Sequence, residues 1–195
     1  MTTYYKLTDH QFKTFNNTKW GENITHIAKG RGNALCTSDC IHVYDHPLKA
    51  VFFNPIHARF QKPVLWKCSI SGIVARDSTK IGVKACTTIH QVPLPIITTN
   101  QRIRAAIYFA QLTKCPTAFS IWAARWLSGE DRTSTSAYAA TSASAATAYA
   151  ATSASAATAY ASAYAAHAAT SAYAAAVPNN SIIRILKRAI KEENG

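Results

Sequence analysis

Hydrophobic and polar residues alternate along the first half of the chain in the way that predicts β-strands. The clearest stretch is KPVLWKCSISGIV (62–74), in which Trp66 and Cys68 alternate with Lys67. Shorter stretches rich in β-branched and aromatic residues lie at 2–7, 24–28, 40–45 and 83–95. HPLKAVFFNP (46–55), with a proline near each end, predicts a short helix among them.

The pattern changes to a helical period after residue 97. Asn100 is a candidate N-cap for QRIRAAIYFAQLTK, and the stretch TAFSIWAARWLSG (117–129) predicts a second helix that ends at Gly129. Near the C-terminus, SIIRILKRAIKEE (181–193) predicts a short basic amphipathic helix.

Between these helices lies an alanine-rich segment with an internal repeat. The eleven-residue unit AYAATSASAAT occurs twice without change over 137–158. Alanine is the best helix former, and eleven residues are close to three helical turns, so the repeat predicts a long, straight, uncharged α-helical rod. The predicted interface has two faces of this rod. One is a line of tyrosines, Tyr138, Tyr149 and Tyr160, and opposite it lies an alanine seam, Ala139, Ala143, Ala146, Ala150, Ala154, Ala157 and Ala161.

The predicted fold class is therefore α+β, with the long rod attached to a small β-rich domain. We predict four parts in chain order. They are a β-rich basic domain at 1–97, a helical pair at 98–130, the alanine-rich helical repeat at 131–177 and a C-terminal basic amphipathic helix at 178–195.

The charge distribution narrows the choice of partners. The 195-residue chain has a formal net charge of +12. No charged residue lies between Thr133 and Ile183, so nearly all of the charge belongs to the first 132 residues. A basic domain of this kind favours an acidic partner, and nucleic acid is the alternative to a protein partner.

The five cysteines and the N-terminus indicate the compartment. An odd number of cysteines and an N-terminus without an apolar core predict reduced thiols and no secretion by signal peptide. No apolar run approaches the roughly 20 residues of a membrane span.

Two small sets of residues are candidates for chemistry. His26, His42 and Tyr44 are the weak catalytic candidates, set against the more common structural use of a histidine in a strand. Four potential metal ligands lie within eleven residues, at Cys36, Cys40, His42 and His46. Their CxxxC spacing is unusual for zinc, so we expect no metal site and no cofactor.

The four tryptophans, with lysines and arginines nearby, raise the alternative of an aromatic platform for nucleic acid. Trp122 and Trp126 are one helical turn apart, which favours core packing instead.

Several motifs resemble a group of small, mostly uncharacterised proteins of tailed bacteriophages that carry alanine-rich tails. The resembling stretches are YYKLTD (4–9), WGENITH (20–26), LCTSDCIHVYD (35–45), NPIHARF (54–60), VPLP (92–95), TTNQRIRAAI (98–107) and WLSGEDR (126–132). This resemblance implies a phage protein in the virion or in the cytoplasm of an infected bacterium, and it implies no known reaction.

Two fainter resemblances imply other functions. The eleven-residue threonine spacing over 137–158 is similar to type I antifreeze helices, but the period fails after Thr158, so ice binding is disfavoured. The β-rich region resembles small ADP-ribosyltransferase-like folds, which usually need a late catalytic glutamate. No acidic residue lies between Asp77 and Glu130, where it belongs.

We therefore expect a phage structural, assembly or interaction protein in which the alanine-rich helix packs against other copies of the chain or against other phage proteins. The alternatives are a host-directed ADP-ribosyltransferase-like enzyme and a basic nucleic-acid-binding accessory protein.

Overall fold

The computed structural model describes residues 2–113, 115–139, 150 and 179–193. The chain divides into two units, Met1–Ile96 and Ile97–Gly195.

The first unit is built around a long antiparallel hairpin. Its seven strands are β1 (Tyr4–Thr8), β2 (Lys13–Thr14), β3 (Thr18–Lys19), β4 (Ile24–Ile27), β5 (Ile41–Val43), β6 (Val64–Arg76) and β7 (Ile81–Val92). The alternation at 62–74 thus corresponds to β6, which pairs with β7 over almost its whole length. β1 pairs with the outer edge of β6, while β4 and β5 pair with successive parts of β7.

The sheet curls until its two edges meet. Tyr5 in β1 and Tyr44, the residue after β5, exchange two backbone hydrogen bonds of 2.8 and 2.9 Å. Strands β1, β6, β7 and β5 therefore enclose a small barrel. Its interior is filled by the buried side chains Trp20, Val43, Cys68, Ile81, Val83 and Cys86.

Helix α1 (Pro47–His57) covers part of the outer face of this sheet. His46 is its N-cap, because the ring Nδ1 accepts a hydrogen bond from the Leu48 backbone N–H at 3.1 Å. On the outer face, a second apolar cluster contains Leu7, Tyr44, Ala50 and Leu65.

The second unit is helical in its described part. Its helices are α2 (Thr99–Ala110), α3 (Thr117–Ser128), α4 (Ser134–Ala139) and α5 (Asn179–Lys191). A capping box between Thr98 and Gln101 begins α2, so the N-cap is Thr98 and not the predicted Asn100. Helix α5 packs on α2, where the Glu192 carboxylate accepts a hydrogen bond from the Tyr108 hydroxyl.

The predicted fold class is wrong in its long alanine-rich rod. Among the described residues of 131–177, helix is limited to the six-residue α4 and the single residue Ala150. Of the predicted interface, only the Ala150 side chain is described, and it is buried. The other alanine and tyrosine side chains of the predicted interface lie outside the described residues.

The rod was predicted from helix propensity alone, and this composition supplies little beyond propensity. Each alanine buries little apolar area, and serine and threonine hydroxyls compete for backbone hydrogen bonds. The repeat also has no charges to form stabilising pairs one turn apart.

No helix in the described part of the chain is both long enough and apolar enough to cross a membrane.

Candidate nucleic-acid interface

Strands β2 and β3 form a short two-stranded ribbon, Lys13–Lys19, that we call the basic ribbon. Its register places Lys13 opposite Lys19 and Thr14 opposite Thr18. Asn16 and Asn17 make the turn with left-handed φ angles of 57° and 55°, a conformation that asparagine tolerates better than most residues.

The base of the basic ribbon is fixed to the barrel. The Phe12 ring packs edge-to-face on Trp66, with 5.2 Å between ring centroids. The Trp20 indole N–H donates to the Thr14 hydroxyl at 2.8 Å. The Asp9 carboxylate accepts hydrogen bonds from the backbone N–H groups of Gln11 and Lys13 at 2.9 and 2.7 Å. The ribbon therefore projects from the barrel in a defined direction.

The two lysines of the ribbon carry charge that nothing nearby neutralises. Like charges directly opposite each other on paired strands are destabilising. The Lys19 ammonium donates to the Gln11 carbonyl at 2.8 Å and lies 5.6 Å from the centroid of the Phe12 ring. No carboxylate in the described part of the chain pairs with Lys13 or Lys19. An anion bound at the ribbon would supply the counter-charge that these lysines lack.

Phe15 stands at the tip of the ribbon and is 86% exposed. Its carbonyl accepts a hydrogen bond from the Thr18 hydroxyl at 3.0 Å, which holds the turn closed. The aromatic ring contributes little to the core, so packing does not explain why the residue is large and apolar.

Strand β4 leads from the ribbon to a second basic element. The His26 ring hydrogen-bonds through Nε2 to the Lys19 carbonyl at 2.7 Å and lies 4.5 Å from the Trp20 ring, centroid to centroid. Three residues further on, Lys29 begins the loop 29–39, which we call the anchored loop. Lys29 and Arg31 are exposed on it. Lys29 lies two residues past the end of β4.

The anchored loop is held by one lysine and one carboxylate. The Lys84 ammonium donates to the carbonyls of Gly30, Gly32 and Asp39 at 3.1, 2.7 and 2.8 Å. The Asp39 carboxylate accepts from the Gly32 backbone N–H at 3.1 Å, and this hydrogen bond is the main reason why the pKa of Asp39 is lowered.

Gly30 and Gly32 of the anchored loop lie too close to Asp39 to carry a side chain. A Cβ on Gly30 would lie 2.1 Å from Asp39 Oδ1, and a Cβ on Gly32 would lie 2.4 Å from Asp39 Oδ2. No larger residue fits at either position without moving Asp39. The loop therefore presents Lys29 and Arg31 from a fixed backbone.

The first unit has more basic than acidic residues, although the buried Lys6, Lys49 and Lys80 do not contribute to its surface. Residues 1–96 contain nine lysines and three arginines against five acidic residues. Four of the five carboxylates accept hydrogen bonds from backbone or hydroxyl groups of the unit or pair with a lysine. They are Asp9, Asp39, Asp45 and Asp77. Glu22, between β3 and β4, is the exposed acid that remains.

The three weak catalytic candidates have separate partners. His26 contacts Lys19 and Trp20, as described above. The His42 ring accepts a hydrogen bond from the Cys36 backbone N–H at 3.0 Å, and burial, reinforced by Lys80 and Lys6, lowers its pKa to about 4. The Tyr44 hydroxyl lies 3.1 Å from His57 Nδ1, and burial raises its pKa. No described contact joins the three side chains into one site.

The four metal-ligand candidates are used in other ways. His42 and His46 each accept a backbone hydrogen bond through the ring. Cys36 is exposed, whereas Cys40 is buried with its thiol 3.5 Å from the Ala34 carbonyl. Within the described ranges, no group of three His, Cys, Asp or Glu side chains is placed to hold a metal ion.

The tryptophans are not an exposed platform, because all four are buried. Among the residues that the structure describes, the highly exposed aromatic side chain is Phe15, which the sequence pattern did not single out. Its only signal was the segment KTFNNTK (13–19), where an asparagine pair between lysines marks a turn.

No protein-family model, curated protein or solved structure matches this chain.

Proposed function

We propose that the first unit binds nucleic acid through the basic ribbon and the anchored loop. The observation that carries this proposal is the placement of Lys13 directly opposite Lys19, with no carboxylate paired to either in the described part of the chain. Phosphate groups supply the negative charge that this arrangement lacks, and binding releases their condensed counterions.

The anchored loop extends the same surface. Lys29 and Arg31 follow strand β4, whose His26 contacts the base of the ribbon. We infer that the four cations form a strip along β4, because this strand joins the ribbon to the anchored loop. A strip of this kind suits a phosphate backbone better than a single small anion, since successive phosphates neutralise successive cations.

The experiment is a fluorescence anisotropy titration with labelled 20-residue oligonucleotides over a range of salt concentrations. We expect the double variant Lys13→Gln/Lys19→Gln to bind roughly tenfold more weakly at low salt. The slope of log affinity against log salt should fall in magnitude by about 1.4 to 1.8, because two phosphate contacts are lost.

Arg76→Gln is the control for charge and removes one positive charge where the ribbon variant removes two, so losses are compared per charge removed. Arg76 is exposed and lies ten residues further along β6 than Trp66, which supports the ribbon. It should change affinity little. Equal losses in the control and in the ribbon variant, or no salt-dependent binding by the unchanged protein, would overturn the proposal.

The other expectations from sequence stay predictions. The phage assembly role rests on the alanine-rich segment, of whose interface only the Ala150 side chain is described. The enzyme alternative gains no support from His26, His42 and Tyr44, since no described contact brings them together.

A further inference from the structure

We propose that the interface selects single-stranded nucleic acid, with one unpaired base stacked on the Phe15 ring. This inference rests on the proposed function, and it adds the strand state of the ligand and the residue that reads it.

The first step is the exposure of Phe15. A phenylalanine that is 86% exposed leaves a large apolar surface in water, at a cost that burial against a ligand would recover. Its neighbours in the turn, Thr14, Asn16 and Asn17, are polar, so the ring is an isolated apolar group at the tip and not the edge of a larger hydrophobic patch.

The second step is the rigidity of the tip. The Phe15 carbonyl accepts from both the hydroxyl and the backbone N–H of Thr18, and the strands on either side are paired. The ribbon base is in turn held by Phe12 against Trp66. Because the backbone is already fixed, only the side-chain rotation of Phe15 is lost when a base stacks on its ring.

The third step is the position of the ring between cations. Phe15 lies two residues after Lys13 and four residues before Lys19, and these lysines face each other across the ribbon. A strand whose phosphates contact the lysines places its bases near the tip. Bases have accessible π-faces only where they are unstacked, which is the case in single strands and not within a duplex.

The test compares three ligands with the same number of phosphates per strand: a mixed-sequence single strand, the corresponding duplex, and a strand of abasic spacers. Each is titrated with the unchanged protein and with Phe15→Ala, Phe15→Leu and Phe15→Trp. Phe15 contacts little of the protein, so these variants should unfold at the same temperature as the unchanged protein, which thermal melting checks.

We expect Phe15→Ala to weaken binding to the single strand by about 5- to 150-fold. Its affinity for the abasic strand and for the duplex should stay within about twofold. Phe15→Trp should retain single-strand binding, whereas Phe15→Leu should lose most of it, because leucine is apolar but has no ring to stack.

The two proposals fail in different ways. If Phe15→Ala binds all three ligands as the unchanged protein does, while Lys13→Gln/Lys19→Gln still weakens binding, base stacking is wrong and the phosphate interface stands. If Phe15→Leu binds the single strand as well as Phe15→Trp does, the ring is not a stacking group and the inference is wrong. If the unchanged protein binds none of the ligands, both proposals are wrong, and the exposed tip is then a contact for another protein.

Discussion

The Lys6 ammonium lies 5.3 Å from the centroid of the Trp20 ring, inside the barrel. It donates one hydrogen bond, of 2.9 Å, to the His42 carbonyl, and the thiols of Cys40, Cys68 and Cys86 lie around it. Lys6 is only 8% exposed, and no carboxylate among the described residues is paired with it. A charged lysine at this position is costly, since burial disfavours the ammonium form.

Lys6→Met should therefore stabilise the first unit at pH 7, by about 1 to 3 kcal/mol in the free energy of unfolding. Burial lowers the pKa of Lys6 in the folded state below its ordinary value of 10.5. Between those two pKa values the unfolded chain binds more protons, so the unchanged protein gains stability as pH rises. The advantage of Lys6→Met should shrink from pH 7 towards pH 10 in urea denaturation.

Lys67→Met is the control for this comparison, because Lys67 lies on β6 and is only half-buried. Its effect on stability gives the baseline for removing a lysine side chain from the same sheet. A constant difference between Lys6→Met and the unchanged protein would show that the buried ammonium is not what titrates.

His42 should make the protein sensitive to acid. Its folded-state pKa of about 4 lies below the ordinary 6.5, because burial and the nearby Lys80 and Lys6 disfavour the imidazolium. The unfolded chain thus binds more protons between pH 4 and 6.5, and stability falls as pH drops through this window. Because His42 is partly exposed to solvent, we expect the free energy of unfolding to fall by only about 1 to 2 kcal/mol.

His42→Gln tests this prediction because glutamine keeps an acceptor for the Cys36 backbone N–H without titrating. Urea midpoints at pH 4.5, 5.5 and 7 should vary less in this variant than in the unchanged protein. An identical acid dependence in both would assign the loss to other groups.

The long strands were predictable, whereas the ribbon was not. In β6 the alternation runs over enough residues to define a period of two, and one face of that strand is buried in the barrel. Strands β2 and β3 have two residues each, too few to show any period. Their position depends on Phe12 and Trp20 packing against the barrel, which are contacts between distant parts of the chain.

Tertiary contacts decide the roles of single residues that the sequence leaves open. Lysine usually lies at the protein surface. Lys6 lies inside the barrel because β1 curls onto β5. His42 and His46 form a plausible ligand pair by spacing, but each ring accepts a backbone hydrogen bond. Propensity alone supported the alanine-rich rod, and propensity is a weak guide without packing.

In the ion pair between Asp45 and Lys49, replacing Asp45 should cost more unfolding free energy than replacing Lys49. Lys49 is 1% exposed, and its ammonium lies 2.9 Å from Asp45 Oδ1, whereas the Asp45 side chain is partly exposed. Asp45→Asn should cost about 2 to 4 kcal/mol, because a buried ammonium loses its counter-charge. Lys49→Met should cost less, since methionine fills similar space and the remaining carboxylate reaches water. Equal losses in thermal or urea unfolding would contradict this account.

Because Gly32 lies close to Asp39, mutations at these two positions should have non-additive effects on the free energy of unfolding. All three nearest atoms to a Cβ on Gly32 belong to the Asp39 side chain, so Gly32→Ala alone must displace that carboxylate from its hydrogen bonds to the loop. In an Asp39→Ala background the obstruction is absent, and the same glycine substitution should cost much less. We expect a coupling of about 1 kcal/mol or more in unfolding free energy.

Gly32→Ala should also weaken oligonucleotide binding, because the displaced loop carries Lys29 and Arg31. Strictly additive effects would mean that Asp39 does not fix the anchored loop. The claim that this part of the proposed interface is preorganised would then be wrong.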